Sequence, residues 1–105
     1  MEEIAIMLQS LNIPFAYDHF AEGEAVNPPF ICYLLPESKN FAADGIVYFK
    51  KTEVHIELYT DKKDLTSEAA VESVLDSHGI FWDKSEVWIE SEKLYETMYT
   101  FEMEA

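Results

Sequence analysis

Apolar residues recur along the chain with two different periods. Ile4, Met7, Leu8 and Leu11 stand at helical spacing, and Glu2 and Glu3 fall in the first turn, where the helix dipole favours acid. This predicts a helix over 2–12, stopped by Asn12 and then Pro14. Residues 13–20 read as a short strand with Phe15 and Tyr17 on one face, and 21–27 as a loop. The unbroken apolar run 30–35 lies between Pro28-Pro29 and Pro36, the pattern of a strand buried on both faces. Residues 37–45 form the longest polar connection.

Further on, 45–49 and 53–59 read as two strands of a hairpin turned by Lys50, Lys51 and Thr52. In the second, Val54, Ile56 and Leu58 alternate with Glu53, His55 and Glu57, which marks a half-solvated strand. After a charged loop at 60–64, Thr66 is placed to cap a helix ending near Ser77, with Gly79 as its left-handed stop. Its apolar stripe is Ala70, Val71, Val74 and Leu75. Strands are expected at 80–84, 86–90 and 95–103. The last has Tyr95, Tyr99, Phe101 and Met103 on one face and Glu96, Met98 and Glu102 on the other. Strand runs with short turns, interrupted by one helix and preceded by another, predict an α+β fold: a small single-domain sandwich over 1–105, a mainly antiparallel sheet with two helices packed on it.

Composition narrows the function classes. The chain has 105 residues, 49% of them hydrophobic and 14% aromatic, enough for a real core and unlike a disordered acidic tail. No apolar run approaches the roughly 20 residues of a membrane span. The acidic start differs from a secretory signal, and one cysteine, Cys32, allows no internal disulfide, so a reducing intracellular setting is expected. Acids number 21 against seven basic residues, all lysine, for a net charge of -14. Such a chain repels phosphates, so neither direct nucleic-acid binding nor an anionic membrane surface is expected.

Catalytic signals are weak. His19, His55 and His78 show no metal-ligand spacing, and Cys32 sits in an apolar run, as a buried inert thiol would. Gly23, Gly45 and Gly79 are isolated, so no phosphate loop exists, and no serine has a nucleophile-elbow context. Among 21 acids, paired carboxylates carry no information. The expectation is a non-enzyme with no metal and no cofactor.

Three features are candidate partner surfaces. Glu68, Glu72 and Asp76 fall at i, i+4 and i+8 on what reads as the outer face of the second helix, a solvated face or a docking stripe for a basic partner. Trp82 and Trp88 sit in strands whose neighbours alternate with charge. They are either buried under the N-terminal helix or set at a subunit interface. Phe41, in an otherwise polar loop, either anchors a partner or folds back over the core. On the half-solvated strand, Glu53 and Glu57 form a further acidic pair.

Several stretches together resemble a known family. Pro29-Phe30-Ile31-Cys32-Tyr33-Leu34 is followed by Ser38-Lys39-Asn40-Phe41-Ala42-Ala43-Asp44. Then come Val54-His55-Ile56-Glu57-Leu58-Tyr59-Thr60-Asp61-Lys62-Lys63-Asp64, Ile89-Glu90-Ser91-Glu92-Lys93-Leu94-Tyr95-Glu96 and Tyr99-Thr100-Phe101-Glu102. In this order, over 11–103, they resemble the small tail-completion or tail-terminator-like proteins of tailed phages and prophages of Gram-positive bacteria. The resemblance implies a small α+β sandwich and a structural role in the virion, after assembly in the host cytoplasm. Subunits form a ring, often sixfold, that caps the head-proximal end of the tail tube, ends its growth and receives the head–tail connector. The implied partners are further copies of the chain, the tail tube protein and the connector protein. The family brings no cofactor and no catalytic residue. It also gives the acidity a physical sense, because an acidic lumen lets DNA pass without sticking. The helix stripe and the pair Glu53 and Glu57 are both candidates to line it. Two other readings stay open: a head–tail connector adaptor, and an acidic DNA mimic that blocks a host nucleic-acid-binding protein.

Overall fold

A computed structural model describes residues 2–20, 26–38, 41–43, 46–49 and 51–104, of which 41–43 and 46–49 are described by their backbone alone. The elements are α1 (Glu2–Gln9), β1 (Phe15–Tyr17), β2 (Phe30–Leu34), β3 (Phe41–Ala43), β4 (Ile46–Phe49), β5 (Lys51–Thr60), α2 (Leu65–Ser77), β6 (Asp83–Ile89) and β7 (Leu94–Glu104). The fold is α+β. Five strands form one sheet in the order β1-β2-β5-β7-β6, and β3 and β4 pair separately. Among the described residues, only β1 and β2 pair in parallel.

The sheet is built on β5, which pairs over its whole length with β7, from Lys51↔Glu104 to Thr60↔Tyr95. Strict alternation puts Val54, Ile56 and Leu58 on one face, all at 0% exposure. Thr97, Tyr99 and Phe101 of β7 and Ile31 of β2 join them in the buried interior. The helices cover this face: Ile4, Met7 and Leu8 of α1 and Val71 and Leu75 of α2 complete a single cluster. Burying a side chain of this size stabilises the fold by about 1.5–3 kcal/mol, so the alternating strands and the two helical stripes hold the layers together. The opposite face of the sheet carries Cys32, Glu53, His55, Glu57, Tyr59, Glu96, Met98 and Glu102, with no helix against it among the described residues.

Several local expectations are corrected. The first helix ends at Gln9 rather than 12, where Ser10 Oγ and Ser10 N both donate to the Met7 carbonyl and close the last turn. Residues 45–49 and 53–59 do not form a hairpin. Instead β4 pairs with β3, while Lys51 and Thr52 already belong to β5 and face Glu104 and Met103. The long non-local ladder with β7 outcompetes a local turn. Asp64, not Thr66, caps α2: its carboxylate accepts from Ser67 N at 3.0 Å and from Ser67 Oγ at 2.8 Å. Gly79 does take the left-handed conformation, at φ 68°. The strands expected at 80–84 and 86–90 are one strand, β6, joined to β7 through residues 90–93 with Lys93 at φ 55°. Phe41 lies in β3 opposite Phe49 rather than in an irregular polar loop. Whether its ring anchors a partner or covers the core lies outside the described side chains, as do the loop residues 21–25.

Candidate functional site

The acidic residues sort into two groups with opposite surroundings. The first lies between α2 and the β6–β7 end of the sheet. Glu68 stands three residues before Val71 and seven before Leu75, so it shares their inward face. It is 3% exposed. Two lysines from outside the helix reach it: Lys63 Nζ at 2.8 Å and Lys84 Nζ at 3.2 Å. Lys84 also binds Glu72 at 2.8 Å, and Lys63 binds Glu86 of β6 at 2.5 Å. The Tyr99 hydroxyl donates to Glu72 at 2.7 Å.

Burial opposes ionisation of Glu72, but the hydrogen bonds from Lys84 and Tyr99 outweigh it and hold the carboxyl below its usual range. The hydrogen bond to Glu72, reinforced by Glu68, holds the Lys84 ammonium above its usual range. Asp76 is exposed and accepts from Trp82 Nε1 at 2.9 Å, while the Trp82 ring meets Tyr99 edge-on at 5.4 Å. The sequence-based picture of an outward stripe on α2 is therefore corrected. Glu68 is internal, Glu68 and Glu72 are neutralised by lysine, and only Asp76 is fully at the surface. Their chemistry is structural: they clamp α2 to the edge of the sheet.

The second group occupies the face without helices. Glu53 and Glu102 are direct cross-strand partners, and Glu57 is diagonal to Glu96 across Tyr59. The Tyr59 hydroxyl lies 3.1 Å from Glu57 Oε1 and 2.9 Å from Glu96 Oε2. A phenol has one proton to donate, so the two contacts compete unless one carboxyl is protonated. Burial first and the nearby Glu96 charge second raise the Glu57 pKa, and the hydrogen bond from Tyr59 opposes the shift. His55 Nε2 sits 3.1 Å from Glu53 Oε2, and Lys51 lies 3.9 Å from Glu102. Cys32 lies across from Glu57, and burial, aided by that carboxylate, raises its thiol to about 11. A hollow of about 350 Å³ beside it is lined by Phe30, Cys32 and Tyr59 together with Asp18 and His19.

A third feature is the sheet edge. β6 is one of the two outermost strands of the sheet, and Val87 and Trp88 on it are 51% and 39% exposed. The Trp88 ring packs on Tyr95 at 4.7 Å and its Nε1 donates to Glu90 at 2.6 Å. The three histidines have separate local partners: Asp18, Glu53 and the Val74 carbonyl. Among the described residues, no three His, Cys, Asp or Glu side chains converge as a metal site would require, and no helix is long and apolar enough to cross a membrane.

Of the residues singled out by sequence, Glu53 and Glu57 do share one face, and Trp88 is at an edge. Glu68, Glu72 and Asp76 lie elsewhere on the molecule, and Phe41 belongs to the separate β3–β4 pair. Sequence reasoning missed Lys63, Lys84, Tyr59, Tyr99 and Glu96. Alternation carried a signal for two of them, placing Tyr59 with Glu53, His55 and Glu57, and Glu96 with Met98 and Glu102. No family model matches the chain, and no curated protein matches it by sequence.

Proposed function

We propose that the chain is a non-enzymatic tail-completion protein of a tailed phage or prophage of a Gram-positive bacterium. In this reading it works in the virion as one subunit of a ring, sixfold as the family resemblance implies. The ring caps the head-proximal end of the tail tube, ends tube growth and receives the head–tail connector. The ordered set of resembling segments is the first support for the reading. The observation that supports it in the fold is the pairing of an outermost strand, β6, bearing exposed Val87 and Trp88, with a separate sheet face rich in carboxylates. A ring subunit needs both: an edge for its neighbour, and a surface that repels passing DNA.

One observation favours a second reading, an acidic mimic of DNA that occupies a basic host protein. The alternation of acids with core residues along β5 and β7 gathers Glu53, Glu57, Glu96 and Glu102 on one face instead of scattering them.

The deciding experiment is electron microscopy of particles made after disruption of the gene in the genome that carries it. Filled heads beside detached, overlong tails support tail completion. Tails of normal length that fail to join heads move the function to the connector side. Normal infectious virions overturn the structural role and favour the mimic.

A further inference from the structure

The two long strands of the sheet end differently. β7 remains paired with β5 as far as Glu104, opposite Lys51. On its other side β6 begins only at Asp83, opposite Thr100. Residues 101–104 of β7 therefore have a strand along one side only, among the described residues. The chain that could have continued the ladder is diverted. After α2 the left-handed Gly79 and the bond from Ile80 N to the Leu75 carbonyl, 3.1 Å, fold it back against the helix end. Trp82 is then pinned to Asp76 and Tyr99. Between these two fixed points Phe81 is left 88% exposed, more than any other large apolar side chain among the described residues. The result is a groove of about 800 Å³, lined by Ile80 and Phe81 and by the last residues of β7.

We infer that this groove receives an extended segment of a partner protein carrying lysine or arginine, added as a strand against residues 101–104. The unpaired strand edge supplies main-chain donors and acceptors in register, and alternate side chains of an added strand point into or away from the groove. Four residues offer about 13 Å of edge at roughly 3.3 Å each, enough for a short extended peptide. Phe81 supplies an apolar anchor. The charge of the lining selects the partner. Glu53, Asp83, Glu102 and Glu104 line the groove with Lys51 and His78, so carboxylates outnumber cations, and Lys51 already lies 3.9 Å from Glu102. A second copy is a poor occupant, because its segments come from a chain with 21 acids and seven lysines. The inference does not depend on the tail-completion reading.

The test is an amide NMR titration with a short synthetic peptide of alternating lysine and valine. Two control peptides accompany it: one of alternating glutamate and valine, and the lysine peptide with alternate backbone amides N-methylated. The expected result is saturable shifts at residues 101–104 with cross-strand contacts to the lysine peptide, and loss of binding with both controls. Phe81→Ser, which retains the fold because the ring is solvent-exposed, should weaken binding about tenfold or more. Trp88→Ser on the outer edge should leave it unchanged. Four outcomes overturn the proposal: no saturable binding, equal binding of the N-methylated peptide, shifts confined to the open sheet face or β6, and dimerisation through residues 101–104 without peptide.

Discussion

Lys84 Nζ lies 3.2 Å from Glu68 Oε1, a contact between the edge strand and a carboxylate that is 4% exposed in its side chain. It joins two elements that are otherwise distinct, β6 and α2, and it shares the carboxylate with Lys63 from the preceding loop. Neither lysine is itself buried, since their side chains are 45% and 36% exposed. The stabilisation is therefore asymmetric. Losing a lysine costs little while the other remains, but losing both strands a buried charge.

That asymmetry is measurable. Lys63→Met and Lys84→Met should each lower unfolding stability by about 1 kcal/mol, near the range of solvent-screened pairs. The double variant should lose about 3 kcal/mol or more, because an unpartnered buried carboxylate then remains. Urea unfolding of the four proteins checks this. Simple additivity of the single losses would show that Glu68 finds solvent or another partner.

The helical pattern of residues 65–77 was legible, yet the role of its acids was not. Reading Glu68 with Glu72 and Asp76 emphasised the i, i+4 row, whereas its i+3 and i+7 relation to Val71 and Leu75 turns it inward. The compensating cations come from positions 63 and 84, outside the helix, where no local pattern reveals them. Strands fared better, since Val54, Ile56 and Leu58 announce their shared face by strict alternation. Strand partners did not: the choice of β7 over β4 for β5 is a long-range competition invisible to turn chemistry. The acidic face follows directly from alternation, but which carboxylates would meet across strands depended on the register, which only the fold supplies.

The Tyr59 hydroxyl between Glu57 and Glu96 makes a prediction about acid. Glu57 holds its proton more tightly in the folded chain than in the unfolded one. Its contribution to stability therefore falls as pH rises from the ordinary glutamate range through the raised value. Glu57→Gln should stabilise the protein near neutrality by about 0.2–1 kcal/mol, the scale of a cross-strand pair, and the gain should vanish below the ordinary glutamate range. Glu72 behaves oppositely, because its folded pKa is lowered. Glu72→Gln should destabilise near neutrality, and the difference should close as pH falls through the lowered value. Unfolding titrations at both ends of this window decide the signs. Tyr59→Phe should raise the Glu57 titration further, since the phenol is one of the groups holding it down.

Cys32 should be inert while the chain is folded. Its residue is 6% exposed, and burial, joined by the Glu57 charge, raises the thiol from 9.0 to about 11. At mildly alkaline pH that shift alone cuts the reactive thiolate about a hundredfold. Alkylation followed by mass spectrometry should therefore show slow labelling in buffer and rapid labelling in urea. Rapid labelling of the folded protein would mean that the hollow beside Phe30 and Tyr59 opens to reagent.

The start of α2 offers the sharpest contrast between two neighbouring residues of similar chemistry. A helix leaves its first backbone N–H groups without internal partners, and a side-chain oxygen at the capping position relieves one of them. Thr66 has the right chemistry, but it lies inside the first turn, while Asp64 precedes the helix and accepts from both Ser67 N and Ser67 Oγ. The Ser67 backbone N–H first, and its hydroxyl second, hold the Asp64 carboxyl below its usual range. Asp64→Ala should then cost about 1 kcal/mol, within the range for lost caps. Thr66→Ala should be within about 0.5 kcal/mol of wild type, as expected for a surface position without such a role. Asp64→Asn should recover most of the loss, because an amide oxygen still accepts from Ser67 N. Comparing the three unfolding midpoints tests the assignment, and a larger loss for Thr66→Ala than for Asp64→Ala would move the cap back to the threonine.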